Sequence, residues 1–236
     1  MGRTLIVGDV HGCAGELGKL LEALAPGADD RVLFVGDLLA RGPDSCGVLA
    51  LYRAVGGRSV LGNHEARLLE ARRARLEGHK RPRLAPPDYA LLHQLTEPDW
   101  ALLAELPLLW PLPEHEACIV HAGVAPELPL HEQDAWTLTH IRSLDAQGRP
   151  SERHDLEPWA SRYHSGPHLV FGHNSRLGLQ LQPRATGLDT ACVYGGRLSA
   201  LVLAAGQTIP ADVEQRRQLV FSVPAARRYY AGKSSG

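Results

Sequence analysis

Five short apolar runs end directly at glycine or histidine and lead into acidic, amide or imidazole side chains: TLIVGD, RVLFVGD, RSVLGNHE, ACIVHAG and HLVFGHN. Their apolar residues are continuous rather than alternating, which is typical of strands covered on both faces. Helical stretches follow the first three runs: CAGELGKLLEALA, PDSCGVLALYRAV and HEARLLEARRARLE. This order of strands and helices predicts an α/β layer with a largely parallel sheet.

The second half of the chain predicts further strands joined by glycine turns, in ATGLDTACVYGGRLSALVL and QLVFSV. We therefore expect an α/β fold of two packed β-sheets, a β-sandwich flanked by helices. Residues 78–113 are richer in proline and polar groups and contain two short helical patterns, so we interpret them as a helical cap inserted into one domain that spans residues 1–236. The polar end of the chain, residues 227–236, is expected to fray.

The composition excludes several classes of function. A formal net charge of −1 over 236 residues argues against a nucleic-acid-binding module, which is usually basic. No apolar run approaches the ~20 residues of a membrane span. The four cysteines are far apart and form no C-x-x-C pair, which favours reduced core residues and a cytoplasmic location. The sequence leaves the oligomeric state open.

Polar residues sit where the apolar runs end, and the carboxyl ends of parallel strands converge on one rim of a sheet. Oxygen and nitrogen donors of this kind suit two divalent metal ions, and a carboxylate such as that of Asp37 has lone pairs for both. Two ions about 3.5–4 Å apart can hold a phosphoryl oxygen and activate a water for in-line attack. The donors are Asp9, His11, Asp37, Asn63, His121 and His173.

Each residue alone has an ordinary structural explanation. A single histidine at a strand end is most often a hydrogen-bonded structural residue, and GDVHG alone can be a turn with a capping aspartate. Five strand ends with these residue types in one chain make coincidence improbable. The pattern as a whole therefore indicates a metal centre.

The motifs GDVHG, GDLLARG, GNHE, HAG and GH, which span residues 8–173, together resemble the phosphoprotein-phosphatase branch of the calcineurin-like metallophosphoesterases. Within that branch, GDLLARGPDS and GLDTACVYGGRLSAL are most similar to bacterial diadenosine tetraphosphatases (ApaH type). The similarity is weak between residues 66 and 120, apart from the position of the cap. The resemblance implies a metallophosphoesterase fold and two divalent ions, with Mn expected and Fe, Zn, Co or Ni as alternatives.

The resemblance also implies roles for individual residues. Asp9, His11 and Asp37 would hold the first ion, and Asp37, Asn63, His121 and His173 the second. His64 would be the general acid. Arg41 would bind the substrate phosphate, together with Asn63 and a second arginine between His121 and His173. We choose Arg142 for that second arginine, with Arg153 and Arg162 as alternatives.

Ala40 bears on the substrate. Protein phosphatases of this branch carry an aspartate in that position, where it orients the catalytic histidine, whereas diadenosine tetraphosphatases also have alanine. A serine alkoxide needs a proton delivered to it, but a phosphate leaving group, with a second pKa near ~6, needs much less help. Ala40 therefore favours cleavage of a phosphoanhydride.

The expected function is dinuclear metal-dependent hydrolysis of phosphoanhydrides, with diadenosine tetraphosphate or a related dinucleoside polyphosphate as the small-molecule substrate. A serine/threonine phosphoprotein phosphatase and a polyphosphatase are the alternatives, and an inactive binding scaffold is disfavoured because all six metal ligands are present. Six basic residues in 72–83 could line an entrance for a polyanion, although a solvated helix face explains them more readily on composition. These are Arg72, Arg73, Arg75, Lys80, Arg81 and Arg83.

Overall fold

The structure is a computed structural model that describes residues 2–80 and 82–231. Its strands, numbered in chain order, are β1 (Thr4–Val7), β2 (Arg31–Phe34), β3 (Arg58–Ser59), β4 (Leu109–Leu112), β5 (Ala117–Val120), β6 (Ser143–Leu144), β7 (Pro150–Ser151), β8 (Glu157–Pro158), β9 (His168–Phe171), β10 (Gln180–Gln182), β11 (Ala185–Gly187), β12 (Arg197–Leu203) and β13 (Val220–Pro224). The α-helices are α1 (Ala14–Leu24), α2 (Ser45–Ala54), α3 (Asn63–Leu76), α4 (Leu91–Gln94), α5 (Glu97–Ala104), α6 (Ala135–His140) and α7 (Val213–Gln218).

The strands form two mixed five-stranded sheets, which confirms the predicted two-sheet architecture. The first sheet has the order β13-β12-β1-β2-β3, and the second has the order β10-β11-β9-β5-β4. The runs predicted to be parallel strands are parallel: β1 with β2, β2 with β3, and β5 with β9. A small third sheet, β7-β6-β8, lies between β5 and β9 in the sequence.

The strands of the apolar runs have no polar alternation because hydrophobic core packs against both of their faces. In β1, Ile6 packs with the apolar layer between the two large sheets, which also contains Ile119 and Val170 from the second sheet. Its neighbour Val7 points the other way, into the core shared with α1 and α2. Successive side chains of a strand alternate between faces, so a strand covered on both sides needs apolar residues at every position.

Helices α1, α2 and α3 follow β1, β2 and β3 as predicted. The start of α2 is set by Asp44, whose side chain accepts a hydrogen bond from the Gly47 N–H at 2.7 Å. Such an N-cap contributes about 1 kcal/mol. Pro43 precedes this N-cap and lies outside the helix, although proline is also compatible with the first turn of a helix.

The segment expected to be a cap contains a 3₁₀ helix (Pro86–Ala90), then α4, α5 and finally β4. Its helices pack on α3, where Arg72 lies over the Trp100 ring at 5.1 Å. Residues 109–112, within the expected cap, instead form the edge strand of the second sheet. Pro111 fits there because an edge strand has one row of backbone groups that pair with no neighbour.

The chain end departs from the prediction of fraying at residues 227–231, which are docked on the body of the protein; residues 232–236 lie outside the described residues. Tyr229 donates hydrogen bonds through its backbone to Val193 and through its hydroxyl to Glu16. Among the helices described, none combines the length and the apolar character needed to span a bilayer.

Candidate active site

The polar residues that follow the strands meet at one edge of the two sheets. Asp9 and His11 follow β1, Asp37 follows β2, and Asn63 begins α3 just after β3. From the second sheet, His121 follows β5 and His173 follows β9. All six side chains are buried, together with that of His64. The fold thus brings together every residue that the sequence analysis proposed as a metal ligand.

Asp37 lies at the centre of this cluster. Its Oδ2 atom is 3.5 Å from Nε2 of His11 and also 3.5 Å from Nε2 of His121. Its Oδ1 atom accepts a hydrogen bond from the backbone N–H of His64 at 3.0 Å. One carboxylate therefore faces a histidine from each sheet, which is the arrangement that a ligand shared between two ions requires.

The remaining ligand candidates surround Asp37. Asn63 Oδ1 lies 3.0 Å from His121 Nε2 and 3.0 Å from His173 Nδ1. The Asp9 carboxylate accepts the backbone N–H of His173. Within this cluster, two groups of described residues have all their ligand atoms within 4.8 Å of one another: His11, Asp37 and His64, and Asp37, His121 and His173.

The turns that carry these side chains have unusual backbone conformations. Left-handed φ angles occur at His11 (48°), Asp37 (48°), Ala40 (72°), Arg41 (65°) and His173 (68°). Non-glycine residues in this region cost free energy, and such strain concentrates at functional sites. The surrounding hydrogen bonds hold the turns in place.

Neighbouring glycines allow the close approach. A Cβ atom at position 62 would lie 2.3 Å from the Asp37 backbone nitrogen, and one at position 172 would lie 1.9 Å from Asp9 Oδ1. The glycines of the GNHE and GH motifs are therefore required by packing within the cluster. Any side chain at these two positions would push apart the loops that carry the ligands.

The electrostatics of the cluster fit divalent cations. Burial lowers the pKa of His11 to about 4 and lowers the pKa values of His64 and His173 well below the usual range. The lowered pKa values favour the neutral imidazole, which is the form that binds metal. Burial and the neighbouring carboxylates of Asp189 and Asp37 raise the pKa of Asp9. Buried carboxylates that lie close together repel one another, and bound cations would neutralise this charge. Carboxylate and neutral imidazole donors therefore fit the divalent metals that the sequence implies.

Arg41 reaches the cluster from the loop after β2. Its Nη1 atom lies 3.0 Å from His11 Nε2, and its backbone N–H donates to Asp88 Oδ1 at 2.7 Å. Its guanidinium also lies over the rings of Tyr194 and Tyr230, at 5.7 and 5.8 Å from the centroids. Asp88 belongs to the inserted segment, so that segment holds the strained Arg41 turn in place.

Arg142 lines a pocket of about 790 Å³ together with Arg41, His64 and His173. Its side chain is largely buried, and its Nε atom has no hydrogen-bond partner among the described residues. All three candidate arginines have an ion-pair partner, Glu152 for Arg142, Asp155 for Arg153 and Glu157 for Arg162, but Arg153 and Arg162 are not among the residues that line this pocket. The geometry favours Arg142 as the second phosphate-binding arginine.

His64 lies edge-on to His11, with ring centroids 4.9 Å apart. Among the described residues, no carboxylate comes within ion-pair distance of its ring, and Ala40 is buried nearby in the same pocket wall. His64 therefore lies beside the proposed metal ligands, and no described carboxylate is close enough to form an ion pair with it.

Three buried carboxylates around the centre were not among the sequence-predicted site residues. Glu65 accepts the backbone N–H groups of Asp37 and Leu39 at 2.9 and 3.0 Å, and burial together with Asp37 raises its pKa to about 8. Asp189 lies close enough to Asp37 for burial and this charge to raise its pKa to about 6. Glu65 belongs to the motif GNHE and Asp189 to GLDTACVYGG. Both motifs carry the family resemblance, so the sequence did contain a signal for these two residues. Asp88 had no such signal, because it lies in the weakly similar segment.

Six basic residues lie in 72–83, and among those that the structure describes, Arg83 alone lines the pocket. Arg72 forms an ion pair with Glu97, and Arg75 donates to the Leu92 carbonyl, so these two hold the inserted segment. Arg81 lies outside the described residues.

Comparison with known proteins identifies the family of this chain. The family model for calcineurin-like phosphoesterases matches residues 2–203. A symmetrical bis(5'-nucleosyl)-tetraphosphatase of Janthinobacterium sp. (strain Marseille) is 32% identical, with 91% of this chain and 98% of the relative covered. The protein of the same name from Shewanella sp. (strain MR-7) is 31% identical, with 86% and 95% covered.

A solved structure has a similar fold. The crystal structure of a "putative diadenosine tetraphosphatase" superposes with a TM-score of 0.79 at 36% identity, over 95% of this chain and 94% of the other. The family match covers all of the strand-end motifs that form the buried cluster. The chain is therefore a member of the calcineurin-like phosphoesterase family, and its relatives include the symmetrical bis(5'-nucleosyl)-tetraphosphatases.

Proposed function

We propose that this hydrolase cleaves phosphoanhydrides with two divalent ions, and that its substrate is diadenosine tetraphosphate or a related dinucleoside polyphosphate. The observation that carries the proposal is the position of Asp37, whose Oδ2 atom is 3.5 Å from a histidine of each sheet. The names of the relatives support the choice of substrate.

In this proposal Asp9, His11 and Asp37 would hold one ion, and Asp37, Asn63, His121 and His173 would hold the other. Such ions, Mn in the first instance, would supply Lewis acidity and activate a water. Fe, Zn, Co and Ni are the alternatives, because the mixture of oxygen and imidazole donors selects none of them.

The protein's own side chains orient the substrate. Arg41 and Arg142, assisted by Asn63, hold the oxygens of the phosphoryl group under attack, because a guanidinium binds two phosphate oxygens and keeps its charge. His64 delivers a proton to the departing oxygen. Because burial lowers its pKa, and because no carboxylate lies within ion-pair distance of its ring among the described residues, His64 is a weak proton donor, which is sufficient when the leaving group is a phosphate.

A polyphosphatase is the second candidate, because the arginine-lined pocket also suits a polyphosphate without nucleosides. A protein phosphatase is disfavoured by Ala40. We also propose a cytoplasmic location, since none of the four cysteines is disulfide-bonded.

Purified protein loaded with Mn²⁺ should be assayed on diadenosine tetraphosphate, inorganic polyphosphate, a phosphoserine peptide and p-nitrophenyl phosphate. We expect the highest kcat/KM on diadenosine tetraphosphate and complete loss of hydrolysis after chelation. A higher kcat/KM on polyphosphate would select the second candidate, and activity that persists in a chelator would refute metal dependence.

The arginine assignments give a separate prediction. Arg41→Ala and Arg142→Ala should each lower kcat/KM by about 10²- to 10³-fold, since each removes a donor that faces the charged phosphoryl group in the transition state. Metal content, measured by elemental analysis, should not change. Arg153→Ala and Arg162→Ala are matched controls that should stay within about twofold of wild type. If either control is crippled while Arg142→Ala is active, the assignment of Arg142 is wrong.

A further inference from the structure

The C-terminal segment, residues 225–231, is bound to the body of the protein along its length. Its backbone donates from Ala225 to the Gly196 carbonyl at 2.9 Å and from Ala226 to Glu16 Oε1 at 2.8 Å. The backbone N–H groups of Tyr229 and Tyr230 both donate to the Val193 carbonyl at 3.0 Å. These bonds fix the course of the segment past the active site.

The docked segment supplies part of the active-site wall. Arg228, Tyr230 and Ala231 line the same cavity as His64 and His173. The Tyr230 ring lies 6.1 Å from that of Tyr194, and both rings face the Arg41 guanidinium. The segment thus holds Arg41 with one side chain, that of Tyr230, and adds a further arginine, Arg228, to the pocket.

The pocket carries more positive charge than one phosphoryl group requires. Among the described residues, one carboxylate, that of Asp88, lines it beside six arginines. Arg41 and Arg142 belong to the proposed catalytic machinery, and within the described chain the other four form no ion pair. These four are Arg67, Arg83, Arg176 and Arg228.

Counting only bonds to described residues, Arg228 is the one of these four whose guanidinium is held by hydrogen bonds. Its Nε donates to the Tyr230 carbonyl at 3.1 Å, and its Nη2 donates to the Ala231 carbonyl. An arginine oriented in this way loses less conformational entropy when it binds an anion. Carbonyl partners leave its positive charge unneutralised.

We propose that the C-terminal segment determines substrate specificity, and that Arg228 binds a phosphate group beyond the one that is attacked. This inference rests on the proposed function and deepens it: the preferred substrates contain a chain of three or more phosphates. A monophosphate ester reaches Arg41 and Arg142 but offers no group to Arg228.

The test compares substrates of increasing phosphate number with Mn²⁺-loaded full-length protein. The substrates are p-nitrophenyl phosphate, pyrophosphate, tripolyphosphate and diadenosine tetraphosphate. For wild type, kcat/KM should rise with chain length. Arg228→Ala should lower the ratio of kcat/KM on tripolyphosphate to that on p-nitrophenyl phosphate by about tenfold or more, as expected for one charge-assisted hydrogen bond.

Arg227→Ala is the matched control, because it removes the same charge from the same segment. The Arg227 guanidinium lies over the Tyr229 ring at 5.3 Å, and Arg227 is not among the residues that line the catalytic cavity. The control should keep the wild-type ratio. Equal effects of the two variants, or an Arg228→Ala loss that is the same on every substrate, would overturn the inference.

These outcomes are distinguishable from failure of the proposed function. Wild type that hydrolyses tripolyphosphate but not diadenosine tetraphosphate refutes the dinucleoside substrate and leaves the Arg228 ratio readable. Wild type that hydrolyses diadenosine tetraphosphate, with a ratio unchanged in Arg228→Ala, refutes only the inference.

Discussion

Replacing Asp37 with asparagine is expected to lower kcat at least about a thousandfold, which corresponds to about 4 kcal/mol of lost transition-state stabilisation. Asparagine keeps the shape of the side chain but removes the charge that faces His11 and His121 at 3.5 Å. Since one carboxylate is proposed to serve both ions, a single substitution should weaken both sites. No other single ligand should have so large an effect on metal content.

Metal content and thermal stability give readouts that do not depend on activity. Elemental analysis should find two ions per wild-type chain and at most one in Asp37→Asn. Mn²⁺ should raise the Tm of wild type, because a ligand that binds only the folded state stabilises it, and this increase should be largely lost in the variant.

The stability of the metal-free protein should change little. Burial alone would raise the pKa of Asp37, but the surrounding histidines hold it well below its usual range, so its charge is retained. The same charge raises the pKa values of Asp9 and Asp189, and removing it relieves that repulsion. The lost interactions with the histidines and the relieved repulsion partly offset each other.

Asp155→Asn is the matched control, since Asp155 is exposed and its ion-pair partner among the described residues is Arg153. It should behave as wild type in all three measurements. One ion or none per wild-type chain after metal loading would contradict the dinuclear centre, and so would an Asp37→Asn variant that keeps two.

The strand-end ligands could be predicted from the sequence because the signal is local. A continuous apolar run predicts a doubly covered strand, and the residues that follow parallel strands meet at one edge whatever the loop details. For the same reason the helices after β1, β2 and β3 lie where their apolar patterns predict them.

The contributions of the inserted segment and of the C-terminal segment could not be predicted, because they depend on contacts between distant parts of the chain. Tyr229 binds Glu16 across 213 positions, and no local pattern in RRYYAGKSSG encodes that contact. Asp88 holds the Arg41 backbone from a segment with little sequence signal. The strand β4 contains Pro111, which argues against a strand unless the edge position is known.

The second large effect concerns the leaving group. Wild type should hydrolyse anhydrides faster than phosphoserine peptides by about a hundredfold or more in kcat/KM, since a well-oriented general acid contributes about 10²- to 10⁴-fold when the leaving oxygen is basic. Here the His64 ring has no carboxylate within ion-pair distance among the described residues. A departing phosphate needs that proton less than a serine alkoxide does.

Two variants test this explanation on both substrate types. His64→Ala should lower kcat/KM on the phosphoserine peptide more than on diadenosine tetraphosphate, with its metal content retained if His64 is a proton donor rather than a ligand. Ala40→Asp should narrow the gap between the substrates by helping the poorer leaving group most. Position 40 can accept the change in backbone terms, because its φ of 72° lies in the left-handed region that aspartate tolerates better than most residues.

Ala40→Asn separates charge from shape at the same position. Asparagine has the size of aspartate and also tolerates the left-handed region, but it cannot stabilise a protonated His64 by charge. If the carboxylate is what the site lacks, Ala40→Asp should raise the relative rate on phosphoserine and Ala40→Asn should not. Equal gains in both variants would assign the effect to packing. Wild-type turnover of phosphoserine peptides equal to that of anhydrides would mean that Ala40 does not encode an anhydride preference.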